Sequence, residues 1–207
     1  MVFPQLEQTI ATLTAEVNLI PEHRRAVLLR VAQFVKKQKQ SGQPTVFNFI
    51  CTHNSRRSHM AQLWAQAAAY YHGVGGVVCL SGGTEATAFN PQAVAAMQRA
   101  GFQIEATTTG ANPRYEVRFS EDAPAVLAFS KTYDDPFNHT KAFAAVMTCA
   151  HADEHCPFIP HALERIALTY DDPKAYDGTP EAAARYTERT LQIGRELLYA
   201  FSQVKEL

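Results

Sequence analysis

Apolar residues along the chain fall into two rhythms, helical spacing in some stretches and short β-branched or aromatic runs in others. Val27, Leu28, Val31, Phe34 and Val35 recur at helical spacing above a polar face holding Arg24, Arg25, Arg30, Lys36 and Lys37. This predicts two helices between Phe3 and Lys39, broken near Pro21. The polar segment Gln38 to Pro44 then reads as a linker, which divides the chain into an N-terminal helical extension over 1–43 and an α/β domain over 44–207. Thr45 to Ile50 has the pattern of a buried strand and ends on Cys51. Met60, Leu63, Trp64, Ala67 and Ala68 restart helical spacing, and Gly73, Gly75 and Gly76 close that helix before a second strand, Val77 to Leu80. Strand, tight loop, helix and strand make a βαβ unit.

Further along, Asn90-Pro91 opens a helix that Gly101 closes, and Ala142 to Met147 predicts another strand, ending on Thr148-Cys149. A parallel sheet follows from these crossovers. Tyr115 to Phe119 and Ala125 to Phe129, on either side of a turn at Ser120 to Pro124, fit an added hairpin. Thr179-Pro180-Glu181 is expected to cap a last helix through Leu191, Leu197, Leu198 and Phe201. Cys79, inside the second strand, reads as core.

Composition narrows the function. The chain has 207 residues and a formal net charge of −1, which gives no electrostatic case for nucleic acid or a membrane surface as partner. The N-terminus lacks the pattern of a signal peptide and no apolar stretch approaches a membrane span, so a cytoplasmic location is expected. Four cysteines, Cys51, Cys79, Cys149 and Cys156, are too scattered for a disulfide scaffold, which leaves reactive thiols or a metal.

The chemistry concentrates at Cys51-Thr52-His53-Asn54-Ser55-Arg56-Arg57-Ser58. A loop between a strand end and a helix start holds unpaired backbone N–H groups at the positive end of the helix dipole, where an anion settles. The span from Cys51 to Arg57 can wrap the N–H groups of Thr52, His53, Asn54, Ser55 and Arg56 around a tetrahedral oxyanion. Arg57 can add a bidentate guanidinium. Cys51 beneath the anion becomes a candidate nucleophile, Ser58 can donate to its sulfur, and Asn54 suits a position of positive φ.

With these residues the segment resembles the Cys-x5-Arg-Ser/Thr loop of the low-molecular-weight protein tyrosine phosphatase superfamily. It is similar in particular to the Cys-Thr-Gly-Asn-Ser-Cys-Arg-Ser loop of the thioredoxin-coupled arsenate reductases, with His53 and Arg56 as the two departures. Ser81 to Ala86, Asn90-Pro91, Cys149 to Pro157 and Tyr170 to Pro173 extend the resemblance, while the N-terminal helices and a segment around Asn112 to Asn138 lie outside it. The resemblance implies an α/β three-layer sandwich with a mostly parallel central sheet. It also implies a thiol relay in which Cys51 attacks arsenate, Cys149 attacks Cys51, and Cys156 attacks Cys149. No tightly bound cofactor is implied; thioredoxin or a similar thiol donor is the expected external reductant.

The departing oxygen needs an acid, and Thr-Tyr-Asp-Asp-Pro occurs twice, at 132–136 and 169–173. The family places the acid in the later position, which favours Asp172 over Asp135. Three alternatives stand beside the reductase. One is a phosphatase acting on phosphotyrosine with Cys149 and Cys156 idle; the second is an oxyanion-sensing module that meets a partner through its N-terminal helices; the third is a metal site built from Cys149, His151, His155 and Cys156.

Overall fold

The computed structural model describes residues 1–138, 141–155 and 158–205. The predicted βαβ unit forms: β1 (Thr45–Cys51) is followed by α3 (Arg57–Tyr71) and β2 (Val77–Gly83), after α1 (Pro4–Ala15) and α2 (Glu22–Gln40). β6 (Phe143–Met147) and β7 (Ala162–Ala167) complete a parallel sheet in the order β2-β1-β6-β7. β1 lies inside this sheet, which suits its uniformly buried sequence. The anion loop therefore leaves the carboxyl edge of an inner strand, where ligands of open α/β sheets bind.

Side chains alternate across the sheet. Phe47, Phe49, Ala144, Val146 and Ile166 face a large core shared with α1, α2, α3, α4 (Pro91–Arg99) and α6 (Ala182–Ser202). Val46, Ile50, Phe143, Ala145 and Met147 face the other way, against Cys149, Ala152 of α5 (Ala150–His155) and Ile159. The two stripes make an α/β sandwich whose helical layer is thick on one side. Leu28, Val31, Phe34 and Val35 are buried in it, so the apolar stripe of α2 packs against the sheet domain.

The expected hairpin is present as β4 (Tyr115–Arg118) and β5 (Val126–Ala128), joined by β3 (Gln103–Ala106) into a small antiparallel sheet. The start of α6 differs from expectation. Glu181 occupies the N-cap without a side-chain cap, while the Thr179 hydroxyl donates to the Tyr176 carbonyl in the preceding turn. No helix among the described residues is long and apolar enough to cross a membrane.

Candidate active site

The segment from Cys51 to Arg57 has its carbonyls turned outward. Cys51 O accepts from Thr84 N, Thr52 O from Glu85 N and the Thr84 hydroxyl, His53 O from the Thr87 and Ser130 hydroxyls, and Ser55 O from Asn90 N. None of the backbone N–H groups of Thr52, His53, Asn54, Ser55 and Arg56 donates to an acceptor among the described residues. Pinning the carbonyls outside leaves the donors for the interior, the arrangement of an anion-binding nest. Asn54 takes the left-handed conformation this requires, at φ 43°, and the first turn of α3 has no side-chain cap. Gly83 packs so closely under the loop that a Cβ would collide with Asn54 N, Thr52 O and Glu85 O.

Cys51 lies buried in this cup, its Sγ 3.1 Å from the Ser58 hydroxyl. The Arg57 guanidinium reaches Tyr170 O at 2.9 Å and the Asp172 carboxylate at 2.5 Å, and its buried Nε has no acceptor among the described residues. The favoured acid thus lies beside the clamp. Its other carboxylate oxygen accepts from Lys174 N, which starts a short 3₁₀ turn at Pro173. Asp135 instead accepts from Phe137 N in an ordinary turn.

The two departures from the resemblance are accommodated differently. Arg56 is turned away from the cup: its Nε donates to Tyr186 Oη at 2.6 Å and its NH2 to Asp177 at 2.8 Å, while Tyr186 Oη donates to Asp177 at 2.7 Å. Burial, followed by the bond to Asp177, pushes the Tyr186 phenol up to about 12, which keeps it a neutral donor. His53 holds the loop to its neighbours through its carbonyl.

The second thiol meets the same loop. Cys149 Sγ is buried, accepts from Ala152 N at 3.4 Å and lies 3.5 Å from the Thr52 hydroxyl. Cys51 and Cys149 share one buried cluster. Cys156 lies outside the described residues. Cys79 is core as expected, and burial raises its thiol well above the ordinary range.

Sequence reasoning missed the buttress supplied by the segment around Asn112 to Asn138. Asn54 Oδ1 accepts from Lys131 N at 3.0 Å, Ser130 Oγ donates to His53 O at 3.0 Å, and Asn112 brackets Ser130 through its N–H and carbonyl. The Lys131 ammonium is buried over the rings of Phe129 and Phe137, and burial brings it down to about 8 against partial opposition from Asp135. Nearby, His59 stacks on Phe89 at 4.2 Å, and burial, with a smaller contribution from Lys131, holds it well below the ordinary imidazole range.

A family model for low molecular weight phosphotyrosine protein phosphatase matches residues 46–122. An arsenate reductase from Halalkalibacterium halodurans is 35% identical over 136 residues, which cover 66% of this chain and 79% of that one. An arsenate reductase from Bacillus subtilis is 31% identical over 153 residues, covering 73% and 91%. A low molecular weight phosphotyrosine phosphatase structure from Vibrio cholerae aligns with a TM-score of 0.50 at 13% identity, over 78% of this chain and 97% of that one. That likeness is one of fold.

Proposed function

The chain belongs to the low molecular weight phosphatase family, among relatives that are arsenate reductases, and from that premise we propose that it reduces arsenate. Both kinds of enzyme in this family are named for oxyanion or phosphoester chemistry, and the cup at Cys51 serves either. The observation that favours reduction is the second thiol on the cup's own rim, Cys149, 3.5 Å from the Thr52 hydroxyl. Ester hydrolysis has no use for it.

In this reading the N–H groups of Thr52, His53, Asn54, Ser55 and Arg56 hold the oxyanion while Arg57 grips two of its oxygens. Cys51 attacks arsenic, an As–O bond breaks, and the Asp172 carboxyl delivers a proton to the departing oxygen. The oxyanion competes with Asp172 for the Arg57 guanidinium, so binding loosens that pairing and leaves the carboxyl free to face the departing oxygen. Cys149 then attacks the Cys51 sulfur: an S–S bond forms, the S–As electron pair returns to arsenic, and arsenite leaves. Cys156 attacks Cys149 and frees Cys51, and a dithiol donor such as thioredoxin reduces the Cys149–Cys156 disulfide.

The second reading is a phosphatase, favoured by the family model. One experiment separates the two. Wild type and Cys149→Ser are given arsenate with thioredoxin and its reductase, and separately an aryl phosphate without reductant. Loss of the first activity alone supports reduction; hydrolysis indifferent to Cys149, with no arsenate turnover in wild type, supports the phosphatase.

A further inference from the structure

We propose that His151 receives the Cys149 proton through the hydroxyl of Thr52, making His151 the general base of the second thiol; this rests on the reading of Cys149 as a relay thiol. Thiol–disulfide chemistry requires the thiolate, and Cys149 is 1% exposed, so its proton needs a route out. Thr52 Oγ1 lies 3.5 Å from Cys149 Sγ and 3.4 Å from His151 Nδ1, between a buried sulfur and an exposed imidazole. These separations are long, as hydrogen bonds of an unliganded catalytic site commonly are.

A hydroxyl can donate and accept at the same time, which suits it to pass a proton on. The Cys149 S–H bond breaks as Thr52 Oγ1 takes that hydrogen, and the original Thr52 O–H bond breaks as His151 Nδ1 takes its hydrogen. Net, one proton moves from Sγ to Nδ1 and no electrons change hands. The products are a Cys149 thiolate, which keeps the Ala152 N–H bond and gains one from Thr52, and an imidazolium open to solvent.

The surroundings set His151 in place. His155 stacks on it at 4.2 Å and donates its own Nδ1–H to the His151 carbonyl at 2.9 Å, which leaves His155 aimed along α5 rather than at Thr52. Asp153 is engaged with Arg165 at 2.6 Å, Glu154 is exposed on the same helix, and Arg56 and Arg57, the cations of the anion loop, are held by Asp177 and Asp172. Among the described residues, His151 is the titratable side chain in hydrogen-bonding range of Thr52 Oγ1 besides Cys149 itself.

The test begins with a full-length chain carrying Cys51→Ser, Cys79→Ala and Cys156→Ser, in which Cys149 is the remaining thiol. Its ultraviolet thiolate absorbance at neutral pH is compared with those of the same chain bearing His151→Ala or His151→Gln. Glutamine can still bond Thr52 but cannot take a proton. We expect the thiolate band in the parent and its loss in both variants. A band that survives in the glutamine variant, or its absence from the parent, overturns the proposal. In the otherwise wild-type enzyme, His151→Gln should lower kcat for arsenate by about tenfold or more with KM unchanged. The absorbance measurement needs no arsenate, so it decides whether His151 takes the Cys149 proton independently of whether Cys149→Ser abolishes reduction.

Discussion

At the nucleophile, Asn54 Nδ2 can only donate, so Ser58 Oγ accepts from it at 2.9 Å and its own proton is free to turn to Cys51 Sγ at 3.1 Å. A sulfur that attacks as a thiolate can accept that proton's hydrogen bond. Hydrogen bonds to charged groups contribute about 1.5–3 kcal/mol, so Ser58→Ala should lower kcat roughly tenfold to a hundredfold while phosphate, as a competitive ligand, still binds. Steady-state kinetics and calorimetry check the two halves separately. His59 carries a different consequence. Its folded-state value is depressed, so below about 6.5, the ordinary imidazole value, the unfolded chain takes up a proton that the folded chain refuses. Stability is fully present above that pH and falls as pH drops toward the depressed value. His59→Phe, which retains an aromatic ring against Phe89, should flatten this decline; urea midpoints at neutral and mildly acid pH would show no change in slope if the assignment is wrong.

Among the elements, the segment after β5 separates charge from main-chain support. Lys131 holds Asn54 through its backbone N–H, while its ammonium is buried over two phenylalanines. A lysine brought from the usual 10.5 to about 8 disfavours the fold by about 3 kcal/mol at neutral pH, at ~1.4 kcal/mol per unit. That penalty is absent above the unfolded value and grows as pH falls to the folded one. Lys131→Met should accordingly raise the unfolding midpoint at neutral pH, remove the alkaline gain in stability, and leave turnover within about twofold. The contrast shows what the chain made legible. The strands on either side of the anion loop, and the loop itself from Cys51 to Ser58, were readable because they are contiguous and patterned. β3 and β7 were not: Gln103, Glu105, Leu163 and Glu164 are exposed or half-exposed, so these edge strands lack a buried run. The buttress was hidden for another reason, since Lys131 and Asn54 meet through a backbone atom, which carries no residue signature. Arg56 finds Asp177 and Tyr186 from 121 and 130 residues away, beyond any local pattern.

For the molecule as a whole, the N-terminal helices belong to the same core as the sheet. Phe34 meets Phe47 at 5.3 Å and Phe47 meets Phe201 at 6.2 Å, so one aromatic column runs from α2 through β1 to α6. The polar link is more specific. Arg24 makes two 2.6 Å bonds to the buried Glu196 carboxylate, a third bond to Thr169 O, and lies 4.8 Å over the Tyr170 ring. Tyr170 in turn gives its carbonyl to Arg57, two residues before Asp172. α2 thereby braces the strand end that carries both the clamp's anchor and the candidate acid. Arg24→Ala leaves Glu196 buried with the weaker partner Gln192, and removing one member of a buried pair costs about 3–5 kcal/mol. The variant should unfold at correspondingly lower urea and, where still folded, show a lower kcat because the 169–172 segment is less firmly held. Arg24→Met with Glu196→Leu, which removes both charges and keeps the volume, should recover most of the stability but not the bond to Thr169 O. If the double variant recovers full activity as well, the brace acts through packing alone; if neither variant alters stability, the α2 link has no share in holding the site.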